Sequence, residues 1–309
     1  MKVFYWIAYG LAYLTSLLPL RLHYFLADVL VFPLVFHILK YRRALVQRNL
    51  RDCFPEKSEQ ERQEIECKFY HWLADYMVET LKEFSISRRE MMRRMEFVNL
   101  AEVEAEMERS PEQHCFLYLG HFCNWEWVAS LPLWSHRSTM FGQIYHPLHS
   151  PMMDRLFFHI RSRFGATNIA MKETLRVLLH WKREGHSSMV GFIADQAPKI
   201  EAMHHWTEFL HHDTSFFTGA EKIGGKLGAR FFYLEMTRPR RGYYRAELRE
   251  MHPEAPTPEQ PFPVTDAFAR CIEQSIRSQP HLWLWTHNRW KRTRQDWENY
   301  KAGPSARKS

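Results

Sequence analysis

Residues 115–127 read C-F-L-Y-L-G-H-F-C-N-W-E-W. The apolar run 115–119 stops at Gly120, and a histidine and a glutamate follow five positions apart among aromatics. Apolar run, glycine, then polar residues is how a buried strand ends at a site. On a regular helix, five residues at about 100° each leave His121 and Glu126 about 140° apart, so they cannot share one face. They can meet if the chain bends between them. His121 then lies in the loop leaving the strand, and Glu126 in the first turn of the next helix, where the helix dipole favours a carboxylate. That arrangement lets Glu126 hold one ring nitrogen of His121 while the other accepts a proton. The same residues also suit a structural histidine beside a helix-capping acid, and chemistry alone leaves both readings open.

Outward from this stretch, strands and helices alternate. Residues 127–134 predict a short helix disturbed by Pro132, and 139–145 a strand. Helices follow at 153–163 and 172–184, the latter closed by Gly185. A buried strand at 188–194 ends at Asp195-Gln196. A glycine-containing helix at 218–227 precedes strands at 230–236 and 243–249 and a last long helix at 264–279. Such alternation predicts an α/β domain with its site at the strand ends. Upstream, Ser58-Glu59-Gln60-Glu61 is a capping box for an amphipathic helix whose stripe includes Phe69, Trp72 and Tyr76. Residues 85–94, basic and rich in methionine, read as a connector or a membrane-facing patch.

The first forty residues differ in composition from the rest. Residues 3–20 hold no charged side chain over 18 positions, about 27 Å as a helix and near the minimum for crossing a bilayer. Arg21 and His23 interrupt, and the second apolar stretch, 24–39, carries Asp28 and Pro33. An anchor or an aromatic-rich buried hairpin would both look like this. No small-residue cleavage site marks a signal peptide. Lys40, Arg42, Arg43, Arg48 and Arg51 follow, a cluster that the positive-inside rule puts on the cytoplasmic face. The expected organisation is an N-terminal hydrophobic membrane anchor at 1–40 and one catalytic domain at 41–309.

Composition narrows the partners. With 309 residues, 45% of them hydrophobic, the chain can bury a sizeable core. A net charge of +7 suggests an acidic partner, and 15% aromatic content with 11 Trp and 22 Phe suits a bilayer and an acyl chain better than bases. No nucleic-acid recognition module is present. The five cysteines lack C-x-x-C spacing, which argues for a reducing compartment and against a cysteine-built zinc site. His204-His205 and His211-His212 are adjacent pairs that diverge on a strand or helix, and no metal is expected. Gly219, Gly224, Gly225 and Lys226 only outline a P-loop, lacking the preceding strand and the Ser/Thr after the lysine. No G-x-S-x-G elbow supports covalent serine catalysis.

G-H-F-C-N-W-E resembles the H-x-x-x-x-D/E block of glycerolipid-type acyltransferases, and in particular the G-H-F-G-N-W-E of the bacterial lipid A biosynthesis (lauroyl/myristoyl) acyltransferases. Tyr41-Arg42-Arg43, Arg48-Asn49-Leu50 and Cys53-Phe54-Pro55 are similar to that family's Y-R-R…R-N-L…C-F-P segment. Asp154 with Arg161 and Arg163, Asp195-Gln196, Thr218-Gly219 and Leu284-Trp285-x-His287-x-Arg289-Trp290 follow in family order. The resemblance covers most of the chain. It implies a glycerol-phosphate-acyltransferase-like mixed sheet flanked by helices, with an N-terminal hydrophobic helical membrane anchor. It implies transfer of a fatty acyl chain from an acyl carrier protein or coenzyme A thioester to a hydroxyl of a lipid A precursor, an anionic glycolipid, at the bacterial inner membrane, without a cofactor. His121 is then the general base and Glu126 its orienting acid. Arg161 and Arg163 become candidates for the oxyanion or a substrate phosphate, and Asn124, Trp125, Asp195 and Gln196 for substrate binding. Phe122, Trp125 and Trp127 would line the mouth of an acyl channel, and the tail from Arg289 would add cations for the acceptor.

Two positions depart from the family pattern. Cys123 stands where glycine is usual, and His146 replaces an arginine in Tyr145-His146-Pro147. The first predicts a distorted loop if the backbone there needs positive φ; the second leaves the acceptor open. Acylation of another glycolipid or a lysophospholipid, and a non-catalytic basic membrane-binding protein, are the competing functions.

Overall fold

In the computed structural model, which describes residues 2–110, 113–148 and 150–303 and side chains from residue 5 onward, the run before Gly120 is a central strand. The chain begins with helix α1 (Lys2–Ser16) and a helical run of α2 (Leu20–Leu26) with π-helical turns at Ala27–Val31 and Leu34–Ile38. Helices α3 (Arg43–Cys53), α4 (Glu59–Lys82) and α5 (Arg88–Arg94), strand β1 (Met95–Phe97) and α6 (Leu100–Arg109) lead to β2 (His114–Leu119). A 3-10 turn at Glu126–Leu133 follows, then β3 (Met140–Tyr145), α7 (Pro151–Ser162), β4 (Thr167–Ala170), α8 (Thr174–Arg183) and β5 (Ser188–Ile193). A hairpin of β6 (Trp206–Phe209) and β7 (His212–Ser215) precedes α9 (Gly219–Leu227), β8 (Arg230–Arg240), β9 (Tyr243–Glu250), α10 (Pro263–Ser278) and α11 (Arg294–Lys301).

Seven strands form one mixed sheet in the order β1-β9-β8-β2-β5-β3-β4. Only β8 and β9 pair antiparallel, so five neighbouring strands from β8 to β4 run the same way. Every residue of β2 is buried, as a strand covered on both faces requires, which is why it reads as a continuous apolar run. The predicted α/β class and the sheet flanked by helices hold.

Helix α4 starts at the predicted capping box: the Glu61 amide donates to Ser58 Oγ at 3.3 Å and the Ser58 amide to Glu61 Oε2 at 2.7 Å. Its Phe69 and Trp72 are buried, and Tyr76 stacks on Trp125 at 4.2 Å. Residues 85–94, read as a connector or patch, form the short α5, capped by the Ser87 hydroxyl. The N-terminal apolar stretch breaks at residues 17–19, so among the described residues the unit long and apolar enough to cross a membrane is the 19-residue run Leu20–Ile38, rather than residues 3–20.

Candidate active site

Strand register builds the site. β2 and β5 are parallel neighbours with Leu119 opposite Ile193. Two residues further along each strand come His121 and Asp195, brought side by side at the strand ends. The His121 amide donates to Asp195 Oδ2 at 2.8 Å, and the ring Nδ1 lies 2.7 Å from Asp195 Oδ1. Gly120 permits this approach: a Cβ there would stand 2.7 Å from Ile272 Cδ1 and 3.1 Å from Asp195 Oδ2. A third donor, Trp283 Nε1, reaches Asp195 Oδ2 at 2.7 Å. Trp283 belongs to a segment that pairs with the His121 loop through Cys123 N to Leu282 O at 2.9 Å and Leu284 N to His121 O at 3.1 Å.

Burial would push the Asp195 carboxyl up, but the charge and hydrogen bonds of His121, with the Trp283 indole, outweigh it and hold the pKa at about 2. An ionised acceptor at Nδ1 fixes the ring proton there and leaves Nε2 with its lone pair. Gln196 Nε2 lies 3.1 Å from His121 Nε2, as an amide donor facing that lone pair would. The turn holding Gln196 is pinned further on, where the Ala197 amide donates to His287 Nε2 at 3.2 Å. Burial, with the nearby Arg289 among the opposing and reinforcing charges, brings His287 down to about 4, so it is neutral and able to accept.

Glu126 opens the 3-10 turn, in the position predicted, but holds a different partner. The ring nitrogen assigned to it is taken by Asp195. Glu126 instead accepts two parallel bonds from Arg161, Nε to Oε2 at 2.8 Å and Nη2 to Oε1 at 2.7 Å. Trp125 Nε1 also donates to it at 3.2 Å. The same indole presents an edge-on contact to the His121 ring at 5.0 Å, so Trp125 touches both residues of the H-x-x-x-x-E motif. The reason is that the motif crosses a tight bend: Cys123 has φ +53° and is buried. The glycine-favouring backbone anticipated from the sequence is therefore present, occupied by cysteine.

The other predicted site residues divide. Asn124 is fully buried; its Nδ2 donates to Glu79 Oε2 at 2.7 Å and its Oδ1 accepts from the Trp127 amide at 3.2 Å. Arg161 reaches the site through Glu126, whereas Arg163 donates to the backbone carbonyls of Glu83 and Ile86. Arg289, expected on a cationic tail, is 2% exposed and donates to Ser215 O. Burial pushes its guanidinium down to about 9. His146 is exposed, with Nδ1 2.9 Å from Pro147 O. Of the histidine pairs, His205 bonds Asp266 at 2.6 Å and His212 stacks on Trp290 at 4.3 Å. Trp283 was missed as a site residue; only its place beside the Leu284-Trp285-x-His287 segment hinted at it.

A histidine held on a buried aspartate at the ends of two parallel strands, with Nε2 beside the Gln196 amide, is an arrangement suited to proton transfer. The model of the family described as bacterial lipid A biosynthesis acyltransferase matches residues 1–292, and the chain belongs to that family. A curated Escherichia coli (strain K12) protein, lipid A biosynthesis lauroyltransferase, is 24% identical over 296 residues, 93% of this chain and 90% of the relative. The Haemophilus influenzae lipid A biosynthesis acyltransferase is 27% identical over 150 residues, 48% of this chain and 46% of its own length. The E. coli lipid A biosynthesis myristoyltransferase is 28% identical over 148 residues, 47% of this chain and 43% of its own. The chain thus spans less than half the length of two of these relatives and nine-tenths of the third.

Proposed function

We propose that this protein transfers a fatty acyl chain from a thioester, carried by acyl carrier protein or coenzyme A, to a hydroxyl of a lipid A precursor. His121 Nε2 takes the acceptor proton as the hydroxyl oxygen attacks the thioester carbonyl. Asp195 balances the imidazolium that forms. Collapse of the tetrahedral intermediate breaks the C–S bond, and His121 returns the proton to the departing thiolate. The Gln196 amide, within hydrogen-bond reach of Nε2 at 3.1 Å, is a candidate donor to the oxyanion. Glu126 and Arg161 act as positioning residues, setting Trp125 against the imidazole. The observation that carries this reading is the His121 Nδ1 to Asp195 bond at 2.7 Å, which leaves Nε2, beside the Gln196 amide, as the nitrogen that can accept the proton.

The test is thiol release from an acyl donor by the purified full-length protein, with and without an under-acylated lipid A precursor, followed by mass spectrometry of the lipid. His121→Ala should lose transfer by about 10² to 10⁴ while keeping its melting temperature. Near-normal turnover in folded His121→Ala protein refutes the assignment. Equal use of a lysophospholipid would move the acceptor to that class.

A further inference from the structure

We infer that the N-terminal apolar segment beds along one leaflet of an anionic bilayer and does not cross it. This stands on packing and surface character and is independent of the acyl chemistry. The run Leu20–Ile38 lies antiparallel along α4 and is bonded to it or its neighbours over its whole length. Tyr24 Oη donates to Glu79 Oε1 at 2.8 Å. Asp28 accepts from both terminal nitrogens of Arg241 at 2.8 Å, and Arg241 also holds Asp75 of α4. Phe32 stacks on His71 at 3.6 Å, and Phe36 packs on Tyr70 at 5.2 Å. Just beyond, Arg43 Nε reaches Glu66 Oε1 at 2.8 Å. The turn between the two N-terminal helices is held too: Lys82 Nζ donates to the carbonyls of Ser16 and Leu18 at 2.8 and 3.0 Å. Midway along α1, Tyr9 Oη lies 3.1 Å from His159 Nε2 on α7.

The outer face of the same segment is apolar and bare. Trp6, Leu11 and Leu14 on α1, and Phe25, Val29 and Ile38 on the second run, are each more than half exposed. Only 22% of Leu20–Ile38 is buried inside the molecule. An apolar face of this extent on a surface marks a membrane or partner contact. Arg21, Lys40 and Arg240 are exposed at its edges, the level at which cations meet lipid phosphates, and this charge complementarity commits the occupant to an anionic leaflet. Crossing is a different matter. A segment spanning the bilayer would carry its polar partners with it, among them Asp75, Glu79, Lys82 and Arg241. Each charge at mid-bilayer costs at least about 2.5–3.5 kcal/mol. Lying in the interface costs none of these bonds.

The arrangement has a functional consequence. Tyr76, on the same helix α4, stacks on Trp125, which meets His121. Helix α4 and the Trp125 ring therefore lie between the leaflet-facing segment and His121, and a lipid acceptor can present its hydroxyl from the interface side.

The experiment places short protease-cleavable peptide tags before Met1 and after Ser309 of the full-length protein, in sealed membrane vesicles of a single orientation. In-leaflet bedding predicts that external protease removes both tags in vesicles of one orientation and neither in the other. Protection of the N-terminal tag where the C-terminal tag is cleaved overturns the inference. A high-salt wash of the same vesicles separates bedding from adsorption by charge: retention of the protein is expected, and release overturns the apolar contact.

Discussion

Asp195→Asn is the change that asks most of the site. The carboxylate accepts from the His121 amide, from His121 Nδ1 and from Trp283 Nε1, at 2.8, 2.7 and 2.7 Å. An asparagine can keep the first and third with its single oxygen, but its NH₂ then faces Nδ1. Two donors cannot meet there, so the imidazole must shift its proton to Nε2, the atom that has to accept one. The expected loss in transfer is about 10²–10⁴, the range for removing a positioned base or its tautomer control. Losing one charge-assisted bond should cost about 1.5–3 kcal/mol of stability, leaving the fold intact. The sign with pH follows from a folded pKa of about 2, below the ordinary 3.8. The carboxylate's contribution is fully present above its unfolded value and is lost only as pH falls through about 2. Across about pH 5–8 the ionisation of Asp195 itself should therefore add no slope to the deficit of the variant. The assay is single-turnover thiol release, with circular dichroism melts as control. If Asp195→Asn retains activity within about threefold of wild type, the reasoning fails. If instead folded Glu126→Gln matches His121→Ala with an unshifted melt, Glu126 is the orienting acid.

Arg161→Ala should be mainly a stability variant: it leaves Glu126, whose side chain is 4% exposed, without its bidentate partner, at a cost of about 3–5 kcal/mol. Thermal melts of Arg161→Ala and of Arg161→Met with Glu126→Leu should show the double variant recovering much of the loss. Stability should decline as pH falls from about 6.5 towards about 4, because burial keeps His287 and His281 neutral in the fold at about 4 while the unfolded chain takes up those protons. Melts against pH should show this slope reduced in His287→Gln. Native alkylation should modify Cys67 and Cys271, which are half-buried, before the buried Cys53 and Cys123, whose thiols burial pushes up. Peptide mass mapping after a short iodoacetamide pulse checks the order.

What the sequence made legible was local. The strand before Gly120, the capping box at Ser58, the helix closed at Gly185 (φ +74°) and the positive φ at Cys123 are each written in a few adjacent residues. The hairpin at 206–215 was not, because its turn residues Leu210 and His211 both take positive φ without the Asn-Gly signature that announces such a turn. Residues 95–109 hide a three-residue edge strand and a helix whose pattern is too short to stand out. In the site, His121 was legible and its partner was not. The contact with Asp195 spans 74 residues and exists only because β2 and β5 are neighbours in a known register, which no spacing within one chain segment discloses.

The two acids near His121 therefore do different work, and their environments say which. Asp195 is buried with three donors around it and no guanidinium bonded to it, so its full negative charge is directed at the imidazole. Glu126 is buried against Arg161, so its charge is largely spent on that pair and what remains near the histidine is the Trp125 ring it holds in place. Under the proposed mechanism, a base that becomes cationic in the transition state gains more from an unspent carboxylate in contact than from a neutralised one beyond an indole. The six-residue motif thus marks where His121 stands, while the sheet register brings Asp195 and its charge to it.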